Sequence, residues 1–330
     1  MAKKTVSEEK NLRPQNLKDY IGQNNVIKTL SVFTRAVNGR GVPSEHILFY
    51  GPPGIGKTTL AHVIAHELKG DIKVTSGAAV EKSGDLAAIL TNLKDNDILF
   101  IDEIHRIPKG VEETLYPVME EYILDIIIGK GPSARTVRLP IPKITIIGAT
   151  TKLALLSAPM RDRFGLLLRL DFYTKEEMIQ IVKRSSLILG LKIDDFAARE
   201  IALRARRTPR IANRILKRVR DMVEVEKHSE ISAALLAKLF SLLEIDEVGL
   251  TNMDRKYLRL IAIRFRNSPL GVETIASSLS EDKRTIEEFI EPYLLQLAFI
   301  KKTAKGRVVT ARALEHLHIK VTDIEQPKLV

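Results

Sequence analysis

The stretch "LFYGPPGIGKTTLAHVI", residues 48 to 64, passes from a short apolar run through a glycine-rich turn into an amphipathic segment. Positions 51 to 58 read G-x-x-x-x-G-K-T. Glycines at Gly51, Gly54 and Gly56 let the backbone fold tightly, so successive N–H groups can point inward at phosphate oxygens. Lys57 is then placed to reach the β- and γ-phosphates of a nucleotide and Thr58 to offer its hydroxyl to Mg2+, while the following helix aims its positive end at the anion. A fortuitous glycine-rich turn is the plainer reading. The apolar strand before it and the helix after it weigh against that, and they commit this part of the chain to alternating strands and helices.

The rest of the first half follows that pattern. "HILFY" (46–50), "DIKVT" (71–75), "DILFID" (97–102) and "KITIIGAT" (143–150) are compact runs rich in Ile, Leu, Val and Phe. Helical periodicity lies between several of them, as in Thr58 to Leu68 and Gly84 to Leu93. Near-continuously apolar strands alternating with helices indicate a parallel sheet covered on both faces. After about Phe172 no strand is expected for some distance, and four segments read as consecutive helices: "TKEEMIQIVKRSSLIL", "DDFAAREIALRAR", "TPRIANRILKRVRDMVEV" and "EISAALLAKLFSLL". Asp194 and Thr208 are candidate N-caps. From about Val248 the pattern changes again. Asp254 to Phe265 is helical, "GVETIASSLSEDKRTIEEFIEPYLLQLAFI" reads as helix, turn, helix, and "AFIKKTAKGRVVTAR" reads as a hairpin, together a winged-helix arrangement. The division expected is a disordered tail over 1–11, an α/β P-loop ATPase domain over 12–173, an all-helical lid over 174–247 and a winged-helix DNA-binding domain over 248–330.

A second chemical element lies 45 residues after Lys57. "DILFIDEIHR" is an apolar strand ending in two acids: Asp102 to hold Mg2+ through water, Glu103 to polarise an attacking water. "KITIIGATT" ends a further strand in Thr150 and Thr151, whose hydroxyls can read a γ-phosphate or orient water. Arg161 and Arg163 follow in "PMRDRFG"; an arginine here can stabilise charge on a transferring phosphoryl group, in a neighbouring subunit's site. Arg210 can close over the same phosphates. Each arginine taken alone could equally be an exposed ion-pair partner.

Charge supplies the remaining constraint. The chain carries a net +11, with nine Arg or Lys against one acid from Arg199 to Arg220, and five basic residues without an acid from Lys301 to Arg312. Such basicity attracts phosphate polymers, while the plainer reading is a solvated helix face and a charged loop. The chain has no cysteine, which excludes disulfides and thiolate metal sites, and its seven histidines are scattered. No run approaches the length that spans a membrane, and the polar opening has no apolar core of a signal peptide, so a cytoplasmic protein is expected.

These residues in this order resemble the AAA+ ATPases and, more narrowly, the RuvB family of Holliday-junction branch-migration motors. The resemblance runs from "LRPQNLKDYIGQ" to "GRVVTARALEHL" and is carried by "YGPPGIGKTTLA", "GDLAAILTNL", "LFIDEIHR", "LDIIIGKGPSAR", "IGATT", "MRDRFG", "TPRIANRILKRVRD" and "EPYLLQLAFIKKTAKGR". It implies that Leu12 and Arg13 line the adenine pocket and that Gly54, Gly56, Lys57, Thr58 and Thr59 bind phosphates and Mg2+. It further implies nucleotide contacts for Glu120, Glu121, Tyr122 and Tyr173, sensor roles for Thr151 and Arg210, and the arginine finger for Arg163. The family hairpin that docks the partner RuvA falls on 124–139, where Ile126, Ile127 and Ile128 would form an exposed apolar patch unless they are simply a buried strand. The wing residues implied to grip DNA are Lys302, Lys305 and Arg307; the family commonly has arginine where the two lysines stand.

The function implied is an ATP-driven, homohexameric ring that translocates duplex DNA independently of sequence, in recombination and repair, with RuvA and RuvC as partners. Glu287, Glu288 and Glu291 on the second helix of the winged helix argue for backbone contact by the wing over deep groove insertion. A nucleotide-switched, site-specific DNA-binding initiator is the second reading, and those acids disfavour it. A protein unfoldase needs an aromatic pore loop, and Thr75 to Asp97 contains no aromatic residue.

Overall fold

The computed structural model describes residues 12–41, 43–128, 135–227 and 230–320. The tail expected over 1–11 lies outside them, as do 129–134 of the expected docking hairpin and the last ten residues of the expected DNA-binding domain. The chain divides into two compact units, Met1–Leu191 with Arg207–Leu216, and Lys192–Arg206 with Lys217–Val330.

The first unit is built on five parallel strands: β1 (Ile47–Tyr50), β2 (Ile72–Ser76), β3 (Ile98–Asp102), β6 (Thr145–Thr150) and β7 (Leu166–Arg169), with the hairpin strands β4 (Ile123–Ile128) and β5 (Arg135–Pro140) between β3 and β6 in the chain. The parallel sheet has the order β2-β3-β6-β1-β7. The central strand β6 is buried at every position, as the unbroken apolar run predicts for a strand covered on both faces. Strand β7 is absent from the expectations above. Its sequence, "LLLR", is four residues long and alternates half-buried with exposed positions, as an edge strand with one covered face does. Helices Lys57–Glu67, Ser83–Leu90 and Lys109–Glu121 fall in the connections between strands. On one side of the sheet Leu86, Leu90, Leu99, Ile101, Leu115 and Ile146 belong to a single buried cluster. Helix Lys175–Ile188 opens with a reciprocal capping box between Thr174 and Glu177.

The antiparallel hairpin of β4 and β5 leaves the end of helix Lys109–Glu121. Leu124 is buried and Ile126 is half-buried against the same apolar cluster, so Ile126 does not stand out as part of an exposed patch. The side chains of Ile127 and Ile128 lie outside the described set.

The second unit holds the helices Asp195–Arg204 and Ala233–Leu242, capped by the side chains of Asp194 and Ser232, and a winged helix. Helix Asn252–Arg259 runs on into a π-helical turn, Leu260–Arg264. Helix Val272–Leu279 is followed by one continuous helical stretch over 283–296, with a π-helical segment at Ile286–Ile290 just before Pro292, whose ring nitrogen has no hydrogen to donate. Strands β8 (Ile300–Thr303) and β9 (Gly306–Val309) form the wing, and Tyr257, Leu258, Ile261, Ile275, Ile286 and Leu294 lie in the core beneath it.

His46 ties the sheet to helix Lys109–Glu121. Ile146 donates its backbone N–H to Nδ1 (2.9 Å), which leaves Nε2 as the donor to the Met119 carbonyl (3.0 Å). Burial holds this imidazole below its usual 6.5, with a smaller opposing pull from the Met119 carbonyl. The unfolded chain therefore takes up the proton first as pH falls. The stability from this neutral ring is complete above the unfolded value and is lost as pH drops through it toward the folded one. Thermal melts from about pH 7 to about pH 5 are expected to fall more steeply for the parent than for His46→Gln; equal slopes would show that this ring does not titrate on unfolding.

Candidate functional site

The parallel order places the ends of β1, β6 and β3 side by side, and the expected nucleotide residues cluster there. Gly51 (φ +141°), Gly54 (φ +78°) and Gly56 (φ +104°) all use backbone conformations that a side chain would strain. A Cβ on Gly51 would run into the Leu170 carbonyl at the end of β7, so the strand absent from the sequence expectations fixes the start of the loop. The hydroxyls of Tyr20 and Tyr173 close on the other side of the loop. Tyr173 donates to the Ile55 carbonyl (3.0 Å), lies 3.2 Å from the Tyr20 hydroxyl, and is pushed up to about 12, chiefly by burial. Tyr20 has no expected role; nothing in its spacing marks it, because only the fold brings it to Gly56.

Lys57 opens helix Lys57–Glu67 and is buried. Its ammonium donates to the carbonyls of Gly51 (2.8 Å) and Pro52 (2.7 Å). Burial lowers its pKa to about 8 against the upward pull of Glu103 and Asp102, and Arg210 adds a smaller push down. An incoming phosphate chain would favour its charged form. Thr58 and Thr59 occupy the same first turn, half-buried. Arg210 packs over Gly54: a Cβ there would meet the arginine's own Cβ at 3.3 Å, and the Arg210 N–H points to the Gly54 carbonyl (3.4 Å). Leu12 is buried, with its carbonyl accepting from Arg184 (3.1 Å), and Arg13 is half-buried beside it in sequence.

Asp102 ends β3, and Glu103 follows in the left-handed region (φ +48°) with its N–H donated to Asp102 Oδ1 (3.0 Å). Glu103 Oε2 accepts from the Thr151 hydroxyl (3.2 Å) and lies 3.3 Å from His105 Nδ1, which is 2.8 Å from the Thr150 hydroxyl. The acid and the threonine pair are thus already joined. His105, in sequence only a part of the "LFIDEIHR" motif, sits between them. One carboxylate at Asp102 and one hydroxyl at Thr58 are hard oxygen donors suited to a magnesium ion that brings phosphate oxygens and water as its other ligands.

Arg163 ends the short helix Ala158–Asp162. Its guanidinium donates to the Pro159 carbonyl (2.8 Å), pairs with Glu120 (3.1 Å) and lies over the Tyr116 ring (4.1 Å to the centroid). Glu120 therefore groups with Arg163, whereas the P-loop's neighbours are Tyr20, Tyr173, Leu170 and Arg210. Glu121 ends the same helix as Glu120, and Tyr122 caps it at φ +56°.

The basic run from Arg199 to Arg220 is not a bare cationic face. Arg204 pairs with Glu200 (2.7 Å) and lies over Phe240; Arg206 pairs with buried Asp254; Arg207 donates to the Tyr173 carbonyl (2.7 Å). The wing also differs from expectation. Glu291 is fully buried, so it is no surface acid: it accepts from Arg307 Nε (2.8 Å) and Tyr257 (3.0 Å) and pairs with Lys302 (2.6 Å). Burial raises its carboxyl, but Arg307 and Lys302 together bring it below the usual range. Arg307 also reaches Glu287 (3.1 Å), while Lys305 is exposed at the turn. Two of the three wing cations are thus fixed by one internal carboxylate.

A glycine-rich phosphate loop, an Asp-Glu strand end and a threonine-tipped strand between them, on a sheet of this order, define a P-loop ATPase of the AAA+ class. Family models agree along almost the whole chain: the Holliday junction DNA helicase RuvB P-loop domain over 12–170, the RuvB AAA lid domain over 173–246 and the RuvB C-terminal winged helix domain over 247–318. The chain belongs to the RuvB family. It is 53% identical over 309 residues to the Holliday junction branch migration complex subunit RuvB of Chloroflexus aggregans, covering 94% of this chain and 88% of that relative. The solved Thermotoga maritima RuvB Holliday junction branch migration motor superposes with a TM-score of 0.84 at 46% identity, covering 94% of this chain and 99% of that one. A solved point mutant of the same Thermotoga protein gives 0.84 at 47%, with the same coverage.

Removing Glu291 leaves half-buried Arg307 with Glu287 alone and takes the acceptor from the Tyr257 hydroxyl. Glu291→Ala is expected to destabilise the winged helix by about 1–3 kcal/mol, chiefly through the buried Tyr257 hydroxyl left without its acceptor, and Glu287→Ala by less than about 1 kcal/mol because its pair with Arg307 is part-exposed. Urea titrations followed by circular dichroism compare the two; equal losses would refute the central place given to Glu291.

Proposed function

We propose that this chain is the ATP-driven subunit of a ring that moves duplex DNA and so drives Holliday-junction branch migration. The observation that carries the reading is the convergence of Lys57, the Asp102–Glu103 pair and the Thr150–Thr151 pair at the ends of three neighbouring strands. Family membership supports it, and it does not favour the site-specific initiator.

In this reading the nucleotide binds with its phosphates in the cradle of Gly51 to Thr59 and its base near Leu12, Arg13 and Tyr173. Lys57 neutralises the phosphates, Arg210 closes over them from the side of Gly54, and Thr58 and Asp102 hold magnesium. The ion stabilises charge on the phosphate oxygens. Glu103 orients the attacking water, and Thr151 leaves Glu103 to report the γ-phosphate. Arg163 serves a neighbouring subunit, with Glu120, Glu121 and Tyr122 on the same interface side. The domains in this reading are 12–173, 174–247 and 248–330, a division that family-model bounds near 173 and 247 support. Lys302, Lys305 and Arg307 hold duplex phosphates through charge, which needs no base reading. The ring is a homohexamer acting in the cytoplasm; the hairpin at 124–139 docks RuvA, and RuvC joins for resolution.

Lys57→Ala is expected to lower ATP turnover more than about a hundredfold while leaving the melting temperature near the parent's. The decisive assay is ATP-dependent dissociation of a synthetic four-way junction, with and without RuvA; an active ATPase that leaves the junction intact with RuvA present would sink the motor reading. Subunits carrying Arg163→Ala, mixed with Glu103→Gln subunits, are expected to hydrolyse more ATP than the sum of the two alone. Simple additivity in verified mixed rings would count against catalysis across an interface.

A further inference from the structure

Helix Lys109–Glu121 presents Glu112, Tyr116 and Glu120 at successive four-residue steps, hence along one face. All three converge on the segment that carries Arg163. The Tyr116 hydroxyl donates to Glu112 (3.0 Å) and lies 3.2 Å from Ser157, which itself bonds Glu112. Ser157 caps the helix Ala158–Asp162 by accepting from Met160 N–H (3.2 Å), and Arg163 closes that helix. Glu112 is buried, so this anchor is screened from solvent. The same tyrosine therefore grips the start of the short helix with its hydroxyl and carries the guanidinium at its end on its ring face. Arg163 Nε is buried without a hydrogen-bond partner, so the ring face, the Pro159 carbonyl and one carboxylate hold the group without saturating it. A guanidinium is planar and stacks where an ammonium cannot.

We propose that Tyr116, its hydroxyl seated between Glu112 and Ser157, is a positioning residue whose ring sets the plane and reach of the Arg163 guanidinium, with Glu120 holding the place later taken by the neighbouring subunit's phosphate. The proposal rests on the reading of Arg163 as an in-trans finger. It predicts a defect in what the variant subunit gives its neighbour, leaving its own nucleotide site intact.

Tyr116→Leu is expected to lower kcat for ATP about ten- to a hundredfold with KM nearly unchanged, and Tyr116→Phe, which keeps the ring, to recover most of the loss. In mixed rings, Tyr116→Leu subunits should be rescued by Glu103→Gln subunits, whose fingers are intact, and should not be rescued by Arg163→Ala subunits. A kcat within about twofold of the parent overturns the proposal. So does a phenylalanine variant as poor as the leucine one, a defect expressed mainly in KM, or rescue by both partners or by neither. The parallel mixture of Arg163→Ala with Glu103→Gln separates the two levels. If it complements and the Tyr116→Leu mixture does not, Tyr116 is wrongly assigned and the finger stands; if neither complements, the finger reading fails and this one falls with it.

Discussion

Three segments of the site pack against one another at a single glycine. Gly148 lies in the middle of β6, paired with Leu48 of β1 on one side and Ile101 of β3 on the other. The point where its Cβ would stand is crowded by Ile104 and Leu48 at 3.0 Å and by Phe164 at 3.1 Å. Ile104 follows Glu103 and Phe164 follows Arg163, while Leu48 lies in the strand that feeds the phosphate loop. A methyl group at Gly148 would push on all three at once, and close-packed interiors have little slack to absorb it. The segments that carry the phosphate loop, Glu103 and Arg163 thus pack around one shared point, the side chain that Gly148 lacks.

The position of Lys57 at the start of its helix, beneath the glycine-rich loop, is legible from local spacing alone, because the turn chemistry of Gly51 to Thr58 is local. The same holds for β1, β3 and β6, whose unbroken apolar runs admit few other folds, and for the cap at Asp194. What is not legible depends on partners far apart in sequence. Strand β7 is too short and too half-exposed to declare itself, yet the Leu170 carbonyl at its end bounds the phosphate loop. Tyr20 meets Gly56, and Tyr116 meets Arg163, only after the chain has folded. No periodicity in one segment encodes such a meeting.

Charge is the least readable quantity. A count of basic residues from Arg199 to Arg220 suggests a surface for phosphate, but Arg204, Arg206 and Arg207 have partners inside their own unit. In the wing the error runs the other way: Glu291 counts as an acid facing DNA and is in fact the buried group that orders Lys302 and Arg307. A buried carboxylate with two cations and a tyrosine is specified by geometry, since each partner satisfies a lone pair that would otherwise be costly to bury. Two cations of the basic wing are therefore held in place by the fold itself.

The placing of Thr151 and Arg163 bears on how one site could influence the next. Both belong to the single connection that leaves β6, and its midpoint, Ser157, is bonded to Glu112. Thr151 holds Glu103 at one end; the Tyr116 ring carries Arg163 at the other. A change of partner at Thr151, from carboxylate to phosphate, would alter the tension at the start of this connection. Tyr116, Glu112 and Ser157 tie the middle of the connection to helix Lys109–Glu121. Coupling between sites needs an element with two arrangements that both sites can bias. On the proposed reading the Thr151 hydroxyl can exchange Glu103 for a phosphate oxygen, and Arg163 can exchange Glu120 for a neighbour's phosphate. On the proposed reading, one connection therefore carries at its two ends both contacts that nucleotide would exchange.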